Sequence, residues 1–265
     1  MSWLQRAEVD ASGIGYDPDG WPASVWVLHS MYEHRLITTG LTHDDVHRER
    51  LARGMQEPDM IGEVDLPELT VSGVPLGYER EPGPDWTRLR WRTLIERSGG
   101  WLDEEDPDWP SEVWLDQDWP ASTIPPPEGS LDEVSWTALI DVLGRLSDDG
   151  QATRVVAYYD FLTARDWQGP NAHVLSGELG GITTLVDELG YLFSPSNWWA
   201  EDRSWFVYTD YDLNTTKVSG SVDLIKALGA ESDLETIRWR GPGGRGARSY
   251  RQRIREGRPP NRRQD

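Results

Sequence analysis

Apolar positions recur at helical spacing most clearly after residue 130, where Leu131, Val134, Ala138, Leu139, Val142, Leu143 and Leu146 mark one face. Ser130 stands three residues before Glu133, the spacing of a capping box, and predicts the start of that helix. Thr153 to Asp160 is β-branched and aromatic with few charges, as a buried strand would be. Ile182, Leu185, Val186 and Leu189 mark a second helical face, stopped at Gly190. Ser204 to Asp210 and Asn214 to Val218 predict a hairpin joined through Tyr211, Asp212 and Leu213. A short helix from Ser221 to Leu228, ending at Gly229, and a strand from Leu234 to Trp239 complete this half.

The pattern before residue 125 is less regular. Val25 to His29 predicts a strand, Thr42 to Met55 a charged helix capped by Thr42, and Asp85 to Arg97 an Arg-studded helix. The Pro- and Gly-rich stretch between Pro58 and Pro84 predicts short strands and turns. Trp21-Pro22-Ala23-Ser24-Val25-Trp26 and Trp109-Pro110-Ser111-Glu112-Val113-Trp114 share the pattern W-P-x-x-V-W, and Trp119-Pro120 repeats its start. The spacing is unequal, which excludes a solenoid and leaves W-P either as a recurring way of entering strands or as a coincidence in a Trp-rich chain. The mixed order of elements predicts an α+β (mixed α/β) chain, a mixed sheet flanked by helices. Its expected organisation is an N-terminal part over 1–124, a stiff linker at 125–130 containing Pro125, Pro126 and Pro127, a C-terminal part over 131–240, and a tail over 241–265.

Charge divides the chain further. Of the formal −20, residues 1–237 hold 16 Lys+Arg against 44 Asp+Glu, while the stretch from Arg238 holds ten Arg against Glu256 and Asp265. Between Arg97 and Arg145 there is no Lys or Arg, and twelve acidic residues stand there beside five Trp. An acidic body repels nucleic acid and attracts cationic partners, whereas an Arg tail does the reverse. The absence of Cys removes disulfides, thiolate metal sites and Cys nucleophiles, and suits a reducing compartment. Glu8 and Asp10 interrupt the opening before an apolar run can form, so no signal peptide is predicted. No window reaches the ~18 to 20 apolar residues of a membrane span, and the expected location is cytoplasmic. With fifteen Trp in the chain, most are expected in the core.

Four stretches carry candidate chemistry. His43 and His47 have the i,i+4 spacing of a zinc helix, but Asp44 stands where a general-base Glu would, among solvated neighbours. Asp210-Tyr211-Asp212-Leu213-Asn214 opens like a calcium loop or a D-x-D metal pair, yet Thr215 and Ser221 replace the Gly and Glu such a loop needs; a hairpin turn is the preferred reading. Gly241-Pro242-Gly243-Gly244-Arg245-Gly246 matches G-x-G-x-x-G but lacks room for the helix, strand and acidic residue that must follow. No Walker motif or nucleophile elbow occurs. Asp103, Glu104, Asp106, Asp108, Glu112, Asp116 and Asp118 lie among Trp101, Trp109, Trp114 and Trp119, where carboxylates would steer a partner and Trp would anchor it.

The stretch from Asn197 to Leu213, with Thr216-Lys217-Val218-Ser219-Gly220-Ser221, resembles the C-terminal part of small uncharacterised actinobacterial α/β proteins, some of which resemble immunity proteins of bacterial toxin systems. The resemblance carries no catalytic signature and implies a toxin-neutralising or similar binding role. The expected function is therefore non-enzymatic: an acidic protein that occludes a basic protein partner through Trp101, Asp103, Glu104, Asp106, Asp108, Trp109, Trp114, Asp116, Asp118 and Trp119, without cofactor. A metal-dependent enzyme using His43/His47 or Asp210/Asp212, and a nucleic-acid binder acting through 241–265, are the alternatives.

Overall fold

A computed structural model describes residues 20–37, 40–54, 82–98, 101–102, 113–114, 119–159, 173–184, 193–210 and 213–238. Its centre is a seven-stranded sheet of β1 (Ala23–Leu28), β7 (Arg154–Tyr159), β8 (His173–Glu178), β9 (Asn197–Ala200), β10 (Phe206–Thr209), β11 (Thr215–Gly220) and β12 (Glu235–Arg238). The spatial order is β12-β1-β11-β10-β9-β7-β8, and every neighbouring pair is antiparallel. A three-stranded sheet joins β2 (Met31–His34), β3 (Trp86–Leu89) and β6 (Thr123–Ile124) in the order β3-β2-β6. The helices are α1 (His43–Ala52), α2 (Trp91–Ser98), α3 (Glu133–Arg145) and α4 (Val222–Ala230). The fold is α+β, and among the described residues no helix is long and apolar enough to cross a membrane.

β1 lies before the proline run, yet it fills the slot between β11 and β12, with Val25 opposite Val218 on one side and Arg238 on the other. The segment at 125–130 thus lies between stretches that share one sheet. Strand alternation sends successive side chains to opposite faces. Val25 and Val27 point to the face covered by α3 and α4, where they meet Leu139, Leu143, Val207, Val218, Leu224 and Leu228. On that face Trp198 sits between Trp136 and Trp205, with ring centroids 5.3 Å away on each side. Trp26 and Leu28 point to the other face, where Trp199, Phe206, Tyr208 and Ile237 pack with Met31, Leu89, Trp91 and Leu94 of the N-terminal stretch.

The described Trp side chains follow the core expectation: Trp26, Trp91, Trp136, Trp198, Trp199 and Trp205 are buried, and Trp21, Trp86 and Trp119 are half-buried. Each W-P precedes a strand: β1, the two-residue β5 (Val113–Trp114) and β6. The hairpin of β10 and β11 and the helix α4, capped by the Ser221 hydroxyl, match expectation within two residues. Two readings change. The stretch expected as one helix from Asp85 begins as β3, because Trp86 to Leu89 pair with β2 and the ladder overrides the helix preference of its arginines. α3 is capped by Asp132, whose carboxylate accepts from Ser135 N at 3.1 Å, and not by Ser130. The Ser130 hydroxyl instead meets Ser194 Oγ at 2.7 Å and accepts from Ser194 N. Gly190 and most of its predicted helix, and the tail 241–265, lie outside the described residues.

Candidate functional site

A cluster of buried polar groups lies where the two sheets and α3 meet. Asp132 is fully buried. Besides capping α3 it accepts the Tyr32 hydroxyl at 2.5 Å and pairs with Arg88 Nε at 3.3 Å. The Arg88 guanidinium also donates to Ser30 Oγ, to Ser135 Oγ at 2.7 Å and to the Asp233 carbonyl at 3.1 Å. A buried charge survives only when paired and hydrogen-bonded, and here both partners are. The join extends through Glu235 of β12, whose carboxylate accepts the Trp91 and Arg92 amides at the start of α2.

His29 is buried beside this cluster. Its Nδ1 lies 2.7 Å from the Pro127 carbonyl, which can only accept, so Nδ1 carries the proton and Nε2 accepts from Thr216 Oγ1 at 2.9 Å. Burial pushes the imidazole down to about 4, against smaller opposing effects of the Pro127 carbonyl and Asp132. Both ring nitrogens are occupied, so His29 does not serve as base for Ser30, which is bonded to Ser135 and Arg88. A cavity of about 60 Å³ touches His29, Ser30, Arg88, Arg90, Asp233 and Glu235. That is room for about two waters, against ~300 Å³ or more for a small-molecule site. The cluster is suited to fastening the N-terminal stretch to the sheet, not to turning over a substrate.

The predicted site residues fall in a different region. Trp101 and Trp114 pair directly across β4 (Trp101–Leu102) and β5, so the run 103–112 connects two hydrogen-bonded strands. Asp103, Glu104, Asp106, Asp108, Trp109, Asp116 and Asp118 lie outside the described residues. Trp119 is half-buried, edge-on to Trp91 with centroids 6.1 Å apart, and its carbonyl accepts from His43 N at 2.9 Å. Of the described residues in this stretch, Trp101 and Trp114 face each other in a separate two-stranded sheet, and Trp119 packs against Trp91 of the body.

His43 and His47 are both exposed on α1. The Nε2 of His43 faces the Thr123 carbonyl at 2.8 Å, tying α1 to β6. Thr42 caps α1 as expected: its amide and hydroxyl each lie 2.9 Å from Asp45 Oδ2, while Asp45 N donates back to the hydroxyl. Among the described residues no three His, Asp or Glu side chains are grouped to hold a metal ion. Asp210 accepts the Tyr208 hydroxyl at 2.8 Å, and its carbonyl accepts Leu213 N at 3.2 Å, the geometry of a turn. Asp212 lies outside the described residues.

One feature escaped the sequence reading. Between β2 and α1 the chain exposes Leu36 (77%), Ile37 (46%) and Leu41 (38%), half of the six exposed large aliphatic side chains among the described residues. The only sequence signal was a pair of adjacent apolar residues, Leu36 and Ile37, between the predicted strand and helix. No protein-family model matches the chain, and no curated protein or solved structure is similar to it.

Proposed function

We propose that the chain is a cytoplasmic, non-enzymatic binding protein of the immunity type, which occludes a cationic protein partner with the acidic, Trp-containing window. The observation that supports the reading is the stretch between Arg97 and Arg145 without Lys or Arg, in which Trp101 faces Trp114 across β4 and β5 and Trp119 packs edge-on to Trp91. Clustered carboxylates steer a basic partner through their field, and neighbouring Trp side chains supply contact area. The His29 imidazole and the hydroxyls of Ser30, Tyr32 and Ser135 are engaged in bonds within the fold.

The test compares two charge-neutralised variants in stopped-flow association with a cationic peptide probe. One replaces Asp103, Glu104, Asp106 and Asp108 by Asn or Gln. The control does the same to Asp148, Asp149, Glu201 and Asp202, which are exposed elsewhere. The window variant is expected to associate about tenfold more slowly with a flatter salt dependence, the control within about twofold of the parent. Equal slowing in both would make the acidity a diffuse field and contradict the proposal.

A further inference from the structure

We draw no further inference here: the strongest candidate, the cavity of about 60 Å³ where β1, β3 and β12 meet, lined by His29, Ser30, Arg88 and Glu235, belongs to the polar join already described, whose side chains are bonded within the fold.

Discussion

The two faces of the seven-stranded sheet are covered by different chemistry. Against α3 and α4 the interior is aliphatic, with Val25, Val27, Leu139, Leu143, Val207 and Val218 around the row Trp136, Trp198 and Trp205. Against the N-terminal stretch it is aromatic, with Trp26, Trp91, Trp199, Phe206 and Tyr208, and it borders the pair of half-buried Arg88 and buried Asp132, and His29. The first cover is made by elements that follow the proline run and pack by shape. The second brings a distant stretch of chain back onto the sheet and needs directional bonds to fix its position. Apolar packing alone is non-directional, whereas a carboxylate shared by a Tyr hydroxyl, a guanidinium and a helix amide admits one docking geometry.

The largest effect is expected on the apolar face. Trp198→Ala removes a fully buried indole and should lower the unfolding free energy by about 3 to 5 kcal/mol, measured by urea titration. Because β1 is shared by both halves, the loss should appear as one cooperative transition, and two separate transitions would break the picture of a single sheet. On the polar face, Asp132→Asn leaves Arg88 without its buried counter-charge and should cost about 3 kcal/mol. Its signature is loss of the Tyr32 contact, read by proteolysis of the N-terminal stretch before the remainder is cut.

His29 gives a smaller, pH-dependent effect. Its folded value is depressed from 6.5 to about 4, so its contribution is complete above about pH 6.5 and is lost as pH falls toward 4. Over that window the unfolded chain takes up a proton that the folded chain refuses. At pH 5 the loss is about 2 kcal/mol relative to pH 7, at ~1.4 kcal/mol per unit. His29→Gln should be less stable at pH 7 but show a flatter decline between pH 6.5 and 4 in thermal melts. An unchanged slope would place the imidazole outside the interior.

The same contrast explains what the sequence made legible. α3, β7, the β10–β11 hairpin and α4 are local: periodicity and caps such as Ser221 lie within a few residues of the element they specify. β9 went unread as a strand because all four of its residues are buried, which erases the alternation that marks a half-exposed strand. β2 and β6 are too short to show a period, and β3 is a strand only because β2 lies beside it. The polar join was invisible for a related reason. Tyr32, Arg88 and Asp132 are about 100 residues apart at their extremes, and nothing local to any of them marks the others. In the candidate site, the Trp-rich window was legible from composition and charge, but the contact of Trp119 with Trp91 was not. The His43/His47 spacing was real as helix geometry, yet His43 is turned to the Thr123 carbonyl of β6.

The central proposal is that the polar join serves the fold while the acidic window serves recognition. The most direct test measures the thermal midpoint and the association rate with one cationic probe for Asp132→Asn and for the Asp103/Glu104/Asp106/Asp108 variant. The account predicts a crossed result, in which Asp132→Asn lowers the midpoint with association unchanged while folded, and the window variant slows association about tenfold with the midpoint unchanged. Loss of association in folded Asp132→Asn, with normal association in the window variant, would move the functional site to the join and contradict the account.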